Sequence, residues 1–207
     1  IWAYGIDHGK FAGETQDQYL KDLPLSRLAE GDVLIAYELN GDPLPVEHGF
    51  PARLVVPGFF GTNSVKWLRR LHVADRRAAT MFTTRFYNDP VTGPDATRPV
   101  WAIAPESVIV SPAPGTRLEA GDVIIWGWAW SACEGRTVEV SSDGGNTWRT
   151  ANLEARTQRS WQRFTYDWTA RDPGDHKLLC RATGADGESQ PLEGARNAVF
   201  SVTVTVE

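Results

Sequence analysis

The second half of the chain alternates apolar and polar residues in short runs, separated by glycine, proline and aspartate. Period-two alternation is typical of β-strands with one buried face. Seven runs follow this pattern: Val108–Val110, Val123–Trp130, Thr137–Ser141, Thr147–Leu153, Trp161–Trp168, His176–Ala182 and Ala198–Val206. Seven short strands in ~100 residues predict an antiparallel β-sandwich.

Three tryptophans alternate along the second of these runs, at Trp126, Trp128 and Trp130. Residues two apart in a strand lie on the same face of its sheet. Because large aromatic side chains contribute much of a core, the pattern predicts that this face is buried inside the sandwich.

The first half is less regular and predicts a mixed α+β unit. Its predicted elements are strands at Trp2–Ile6, Val33–Glu38, Leu54–Val56 and Trp67–Val73, a short helix at Leu25–Asp32 that ends at Gly31, and a tight turn at Asn40-Gly41. A segment with three prolines, Pro90–Pro99, then predicts a domain boundary. The expected domains are residues 1–90 and 98–207.

Composition narrows the class of protein. The 207 residues are 42% hydrophobic, which is ample for a core, and the net charge is −5 with no basic run. We therefore expect no nucleic-acid partner. The apolar runs fall far short of the ~18 residues that span a bilayer, so no membrane association is expected.

The first residues, Ile1-Trp2-Ala3, resemble a strand in the interior of a domain. We therefore expect the chain to be a processed or truncated piece of a longer protein.

The two cysteines, Cys133 and Cys180, form neither a metal-binding pair nor a disulfide framework. Cys180 lies in the middle of a predicted strand, where it is expected to be a small apolar core residue. The cysteines therefore leave the cellular compartment open.

The stretch from Val46 to Leu68 concentrates most of the candidate chemistry. It sets His48, Arg53 and Lys66 around a short apolar run, between turns rich in glycine and proline. Cationic donors and backbone N–H groups in such a segment can bind an anion. On residue types alone, an ordinary strand–turn–strand with surface charges is the favoured interpretation.

The same stretch resembles the molybdopterin-binding core of the sulfite oxidase family. Members carry His-Gly-(Tyr/Phe)-Pro-x-Arg-(Val/Leu)-Val-Val-Pro-Gly, then a turn and x-Val-Lys-Trp-Leu; the matching residues here are His48–Gly58 and Ser64–Leu68. Upstream, Asp32–Pro45 is similar to the family's Val-Leu-Leu-Ala-Tyr-Glu-Met-Asn-Gly-x-Pro-Leu-Pro. The resemblance continues into the second half and covers nearly the whole chain.

The resemblance implies that residues 1–90 are the C-terminal part of a molybdopterin-binding domain. His48 would donate to the pterin or its phosphate, and the planar fork of Arg53 would bind that phosphate. Lys66, with the backbone of Ser64 and Val65, would point at the same cofactor. The ordinary alternatives are a core histidine, a buried ion-pair partner and a solvated lysine.

Two further site residues follow from the resemblance. Asp7 is the counterpart of an aspartate that contacts the pterin, although it could be a simple turn residue. Tyr87 falls where the family keeps its catalytic tyrosine, whose phenol can donate a hydrogen bond to an oxygen and gate protons. Its alternative role is packing beside Phe86.

The family's metal ligand has no counterpart among these residues. The family binds molybdenum through a cysteine thiolate that precedes the region matched here, so we assign no metal ligand to this chain. The expectation is that the chain requires the N-terminal part of the catalytic domain as a partner and is inactive alone.

Two departures leave the substrate open. Thr62-Asn63 stands where members often carry an arginine, and Leu192 stands where sulfite-active members place another, with Arg196 displaced from that position.

The complete protein is then expected to be a molybdenum-dependent, sulfite-oxidase-like oxidoreductase. It would oxidise sulfite or a related small oxyanion by two electrons with oxygen from water, and the cofactor would carry the redox chemistry. The resemblance also implies a separate electron acceptor, a periplasmic location, and a homodimer formed through residues 98–207 as an immunoglobulin-like dimerisation domain.

A non-catalytic role is the alternative, either as a dimerisation scaffold or as a carbohydrate-binding module. Nine tryptophans and the run Ser141–Trp148, which resembles the Asp-box of sialidase propellers, favour carbohydrate binding. A propeller needs repeats of that box, so a single copy is better explained by a hairpin turn. Glycan-binding tryptophans should also be exposed, whereas Trp126, Trp128 and Trp130 are predicted to be buried.

Overall fold

The computed structural model describes residues 1–91 and 97–207, which form two compact units, Ile1–Ala102 and Ile103–Glu207. Strands make up 46% of the structure and helices 8%, and the sheets are antiparallel in the main. The predicted fold class, an α+β unit followed by an antiparallel β-sandwich, is confirmed.

The first unit is built from short strands. They are β1 Trp2–Gly5, β2 Gly9–Phe11, β3 Glu14–Gln16, β4 Leu20–Asp22, β5 Leu34–Ala36, β6 Glu38–Leu39, β7 Asp42–Pro43, β8 Arg53–Val55, β9 Leu68–His72, β10 Asn88–Pro90 and β11 Thr97–Pro99. Its sheet of three strands has the order β4-β1-β9, and the pairs β2-β3, β5-β8, β6-β7 and β10-β11 are separate.

Helical turns in this unit are short. Three are 3₁₀ turns, at Leu25–Glu30, Val46–His48 and Gly61–Asn63, and Met81–Arg85 is a single π-helical turn. The first ends at Gly31, whose φ of 74° is left-handed, as the sequence predicts. Asn40 and Gly41 both have positive φ and join β6 to β7 in the predicted tight turn.

The core of the first unit positions the candidate site. Leu54 and Val56 of the β8 segment are buried together with Val65 and Ala3. The backbone N–H of Leu54 donates to the carbonyl of Val65 over 2.8 Å. This pairing holds the residues that lead into β8 beside the segment Ser64–Lys66.

The second unit is a sandwich of two sheets. Its strands are β12 Glu106–Ser111, β13 Arg117–Leu118, β14 Gly121–Trp130, β15 Gly135–Ser141, β16 Arg149–Thr150, β17 Asn152–Leu153, β18 Gln162–Ala170, β19 Gly174–Gly184 and β20 Ser201–Val206. One sheet has the order β12-β14-β18-β17 and the other β13-β20-β19-β15-β16. The core between them includes Ile125, Val138, Phe164, Leu178 and Val204, all fully buried.

The predicted strand Thr147–Leu153 is in fact two strands in different sheets. Arg149–Thr150 pairs with β15, whereas Asn152–Leu153 pairs with β18. Ala151 lies between them and is buried in the core. The alternation of apolar residues continues through the change of sheet, so the pattern alone does not reveal it.

The predicted burial of Trp126, Trp128 and Trp130 is wrong. Along β14 the buried positions are Ile125, Gly127 and Ala129, and the three tryptophans lie half-buried on the opposite, outer face. A Cβ added to Gly127 would lie 1.9 Å from the carbonyl oxygen of Val108 and 2.8 Å from the ring of Phe164. The inner face therefore carries small residues that leave room for that phenylalanine.

The division between the units falls later than the predicted boundary. The backbone N–H of Val100 donates to the carbonyl of Tyr87, and that of Phe60 donates to the carbonyl of Trp101. The chain therefore stays with the first unit up to Ala102. Residues 92–96, within the predicted boundary segment, lie outside the described residues.

Within residues 1–91 and 97–207, no helix is long and apolar enough to cross a membrane.

Candidate functional site

Arg53 connects the two halves of the candidate motif. Its Nη1 donates to the carbonyl of His48 over 3.1 Å, and its Nη2 donates to the carbonyl of Ser64 over 3.2 Å. Its Nε is buried and has no hydrogen-bond partner among the described residues. The guanidinium is thus fixed by two carbonyls and keeps one buried donor unused.

Lys66 lies against the loop that contains His48. Its Nζ donates to the carbonyl of Glu47 over 2.9 Å and lies 4.4 Å from the ring centroid of Trp67. A Cβ added to Gly49 would lie 3.0 Å from the Cβ of Lys66. Only a glycine lets the two backbones approach so closely, and this brings the exposed His48 into the same cluster as Arg53 and Lys66.

Asp7 belongs to the same neighbourhood. A Cβ added to Gly5 would lie 2.3 Å from Asp7 Oδ1 and 3.0 Å from the carbonyl oxygen of Lys66, so the carboxylate fills the gap that this glycine leaves. Asp7 Oδ1 is buried and has no hydrogen-bond partner among the described residues. Burial raises the pKa of Asp7, and its own backbone hydrogen bond and the charge of Lys66 oppose the rise.

A cavity of about 280 Å³ opens beside Asp7. Its walls come from the β2–β3 hairpin and from Tyr19, Phe82 and Tyr87. Tyr87 has a φ of 59°, which is uncommon for a residue with a side chain. Asp7 and Tyr87 line this cavity, whereas His48, Arg53, Ser64, Val65 and Lys66 cluster around the start of β8. Asp7 connects the two groups, because it also lies close to Lys66.

Tyr19 is a cavity residue that the sequence analysis missed. Its hydroxyl donates to the carbonyl of Thr62 over 2.8 Å. Burial raises the pKa of Tyr19 well above its ordinary value, and the nearby Tyr87 and Asp7 add to the rise. It is therefore a neutral phenol over the physiological range. The sequence shows only a tyrosine directly before β4. The pairing of β4 with β1 brings this tyrosine to the cavity, and the sequence pattern does not reveal that pairing.

Asn63, one of the two residues of the Thr62-Asn63 departure, is a structural residue. It is 1% exposed, and its Nδ2 donates to the carbonyls of Phe60 and Val100. Its Oδ1, like the Oγ1 of Thr62, is buried and has no hydrogen-bond partner among the described residues.

Both cysteines lie in the second unit. Cys180 is fully buried in the sandwich core, and burial raises the pKa of its thiol to about 11. Cys133 is half-buried, with its Sγ 3.5 Å from the hydroxyl of Ser131. No group of three or more metal-ligating side chains occurs within residues 1–91 and 97–207.

Two family models match the chain, one for each unit. The oxidoreductase molybdopterin binding domain matches residues 1–82, and the Mo-co oxidoreductase dimerisation domain matches residues 97–204. Together they cover most of both units.

Curated relatives agree with these matches. The chain is 37% identical over 195 residues to the mitochondrial sulfite oxidase of Rattus norvegicus, which covers 86% of this chain and 36% of the rat protein. It is 34% identical over 171 residues to the sulfite oxidase of Arabidopsis thaliana, covering 77% and 42% of the two chains. The chain thus spans less than half the length of these relatives.

A solved structure has the same fold. The sulfane dehydrogenase SoxCD from Paracoccus pantotrophus matches with a TM-score of 0.77 at 31% sequence identity, and the match covers all of this chain and 57% of that one.

Proposed function

Because the chain belongs to the sulfite oxidase family of molybdopterin oxidoreductases, we propose that it contributes one wall of a molybdenum-cofactor site to a sulfite-oxidase-like enzyme. The complete polypeptide would oxidise sulfite or a related oxyanion by two electrons, with oxygen from water and a separate electron acceptor. The activity is assigned to that longer polypeptide because this chain spans 36% of the rat enzyme.

Three of the five buried side-chain polar atoms that lack a hydrogen-bond partner among the described residues carry this proposal. Arg53 Nε, Asp7 Oδ1 and Thr62 Oγ1 are all buried and lack a hydrogen bond among the described residues. Each such atom costs about 1–3 kcal/mol when it stays unpaired. A ligand that pairs with these atoms offsets that cost, and a phosphorylated pterin offers both the anionic oxygens and the N–H donors that the set requires.

The residues present fit such a group. Arg53 is held with its fork fixed, which suits a phosphate, and Lys66 and the exposed His48 add donors in the same cluster. Asp7 can accept an N–H from a heterocycle. When bound, the cofactor supplies the two-electron redox chemistry.

The cavity phenols have a different role. Tyr87 and Tyr19 both line the cavity that Asp7 also lines. A neutral phenol can donate a hydrogen bond to an oxyanion and can pass a proton. We assign Tyr87 to this role and leave Tyr19 as its neighbour, because the hydroxyl of Tyr19 already donates to Thr62.

Cofactor retention tests the proposal. The complete polypeptide that contains this chain would be purified as Arg53→Ala and as the control Arg69→Ala, whose side chain is exposed on β9. Molybdenum would be measured by mass spectrometry and pterin by the fluorescence of its oxidised form. We expect the Arg53 variant to lose most of both and the Arg69 variant to keep them. Equal retention in the two variants would contradict the proposed site.

We further propose that the second unit pairs two copies of the complete polypeptide. The match of residues 97–204 to a dimerisation domain supports this. Sedimentation equilibrium at micromolar concentration tests it, and a monodisperse monomer would exclude it. The periplasmic location stays a prediction from the resemblance, which fractionation of the source cells would test.

Carbohydrate binding is the second candidate function. The outer position of Trp126, Trp128 and Trp130 removes one argument against it, because these rings are not part of the core. Retention on immobilised polysaccharides, lost in Trp161→Ala, would support this alternative.

A further inference from the structure

We propose that Lys21 is a positioning residue that holds the aromatic ring of Tyr87 in place on the cavity wall. This role rests on the proposed function, in which Tyr87 is the phenol that donates a hydrogen bond to the substrate. Lys21 lies in β4, outside the motif around β8, and acts on the reaction only through the ring that it contacts.

The backbone of Tyr87 is strained and its ring needs a partner. The φ of 59° is left-handed, a region in which Cβ crowds the following carbonyl oxygen. The main chain is held, because the carbonyl of Tyr87 accepts the N–H of Val100 over 2.8 Å. Within residues 1–91 and 97–207, however, the hydroxyl of the half-buried side chain makes no hydrogen bond. The polar contact that restricts the ring is therefore the one with Lys21.

The ammonium of Lys21 is itself fixed. Its Nζ donates to the carbonyl of Phe82 over 3.0 Å and lies 4.4 Å from the centroid of the Tyr87 ring. The side chain is 2% exposed, and a cation attracts an aromatic ring most strongly where water is excluded. Burial lowers the pKa of Lys21 to about 8, so the ammonium still carries its charge at pH 7. If the ring turned away, this buried cation would lose one of its two described contacts, and that loss opposes the movement.

The neighbouring carboxylate does not replace the ring as a partner of the ammonium. Asp22 follows Lys21 in β4, and successive side chains of a strand point to opposite faces. The two oxygens of Asp22 each accept a hydrogen bond from Arg77 over 2.9 Å, and one of them also accepts the N–H of Ala78 over 3.1 Å. The charge of Asp22 is thus bound by Arg77, and the direct contacts of Lys21 are the carbonyl and the ring.

A fixed ring matters because the rate depends on where the donor lies. Tyr87 lines the cavity of about 280 Å³ together with Asp7 and Tyr19. A displacement of about 1 Å in a group that takes part in a reaction can lower the rate by ~10²-fold. Loss of the Lys21 ammonium should therefore lower kcat more than it changes KM, since the cationic residues that bind anions stay in place.

Variants of the complete polypeptide test this role at pH 7. They are Lys21→Met, Lys21→Gln, Tyr87→Phe and the double variant of Lys21→Met with Tyr87→Phe. Lys21→Gln removes the cation but keeps a donor for the carbonyl of Phe82. Lys177→Met, at an exposed position of the second unit, is the control for the loss of a lysine. Circular dichroism shows whether each variant keeps its fold.

The kinetic result should depend on the phenol. We expect Lys21→Met and Lys21→Gln to lower kcat for sulfite oxidation, per bound molybdenum, by about tenfold, with a smaller change in KM. Lys177→Met should leave kcat unchanged. In the Tyr87→Phe background, Lys21→Met should have no further effect, because residues that act through one group are not additive.

A second measurement follows the ring without turnover. Fluorotyrosine is incorporated into the complete polypeptide, and the fluorine NMR resonance of Tyr87 is identified by its loss in Tyr87→Phe. In Lys21→Met this resonance should broaden and show a larger shift between H₂O and D₂O, because the ring gains other positions and more exposure. In Lys177→Met both quantities should stay unchanged.

The outcomes distinguish this role from the function on which it rests. Unchanged kcat in Tyr87→Phe overturns the role of Tyr87 and that of Lys21 with it. If Tyr87→Phe lowers kcat while Lys21→Met and Lys21→Gln do not, only the positioning role is overturned. Equal losses from Lys21→Met in both backgrounds, or an unchanged resonance of Tyr87, identify Lys21 as a residue of the fold alone. A complete polypeptide that binds molybdenum without oxidising sulfite contradicts the proposed function, and the fluorine resonance then decides whether Lys21 holds the ring.

Discussion

The Nζ of Lys21 lies 4.4 Å from the ring centroid of Tyr87 and donates to the carbonyl of Phe82 over 3.0 Å. Lys21 is 2% exposed, so its ammonium is buried directly behind two residues of the cavity wall. Burial lowers the pKa of Lys21 to about 8, the charge of Asp22 opposes this, and Arg77 adds to it. The candidate catalytic phenol therefore has a buried cation behind it whose charge depends on pH.

The first prediction concerns stability at alkaline pH. In the folded protein Lys21 releases its proton near pH 8, whereas the unfolded chain keeps it up to about 10.5. The unfolded state thus binds more protons in this window, and the contribution of Lys21 to the unfolding free energy rises with pH, by at most ~1.4 kcal/mol per unit. Lys21→Met removes this slope. Urea unfolding at pH 7, 8, 9 and 10 should show the variant losing stability relative to the unmodified protein as pH rises above 8. A constant difference at all four values would mean that Lys21 titrates normally.

The second prediction concerns the close approach of Gly49 to Lys66. Gly49 has a φ of 110°, and an added Cβ would lie 3.1 Å from both Lys66 Cα and Trp67 N, which are main-chain atoms that cannot rotate away. We expect Gly49→Ala to reduce the unfolding free energy by about 2–4 kcal/mol and to lower cofactor content. Gly41→Ala is the matched control, with a φ of 89° and nothing within 4 Å of the added Cβ. Its expected loss is about 1–2 kcal/mol, with cofactor content unchanged. Equal losses would show that the contact with Lys66 is unimportant.

The third prediction concerns the turn at Asp143. The carboxylate accepts hydrogen bonds from the hydroxyl and the backbone N–H of Thr147 and from the hydroxyl of Ser141, and these lower the pKa of Asp143 to about 2. A lowered carboxylate pKa gives stability that is fully present above the ordinary value of 3.8 and is lost as pH falls through about 2. Asp143→Ala should therefore lower the melting temperature at pH 7, and the gap should narrow between pH 4 and pH 2. Glu119→Ala, at an exposed position, is the control. A gap that does not change with pH would refute this role.

The long strands of the sandwich were predictable because alternation persists along them. β14, β18 and β19 lie where the apolar–polar pattern places them, and each pairs with neighbours over six or more residues. The pattern does not tell which of the two alternating sets faces inward. On β14 the larger residues lie outside, because Phe164 from the neighbouring strand fills the space over Gly127. Packing between neighbouring strands determines which face of β14 is buried, and the sequence of β14 alone does not show it.

The candidate site was predictable where it is contiguous in sequence. His48, Arg53 and Lys66 belong to one motif, and the pairing of Leu54 with Val65 brings its parts together. Tyr19, which precedes β4, and Lys21, which lies in β4 against Tyr87, were missed because the pairing of β4 with β1 depends on long-range contacts. The roles of the motif residues as cofactor ligands stay predictions, which the Arg53 variant tests.

The last prediction is that the 207-residue chain, expressed by itself, does not oxidise sulfite. Soft metal centres take thiolate ligands from proteins. Cys180 is fully buried among apolar side chains, and burial raises its pKa to about 11, so it is a thiol at neutral pH. Cys133 lies in the second unit, far in sequence from Arg53 and Tyr87. What the first unit offers is a cationic cluster and two phenols, which can bind an anion but provide no redox centre. Sulfite-dependent reduction of an electron acceptor would be measured for the chain and for the complete polypeptide, produced in the same cells, with molybdenum content determined in parallel. We expect turnover only in the complete polypeptide. Turnover by the chain alone, with one molybdenum per chain, would show that a ligand within these 207 residues holds the metal and that the assignment of the site to a longer polypeptide is wrong.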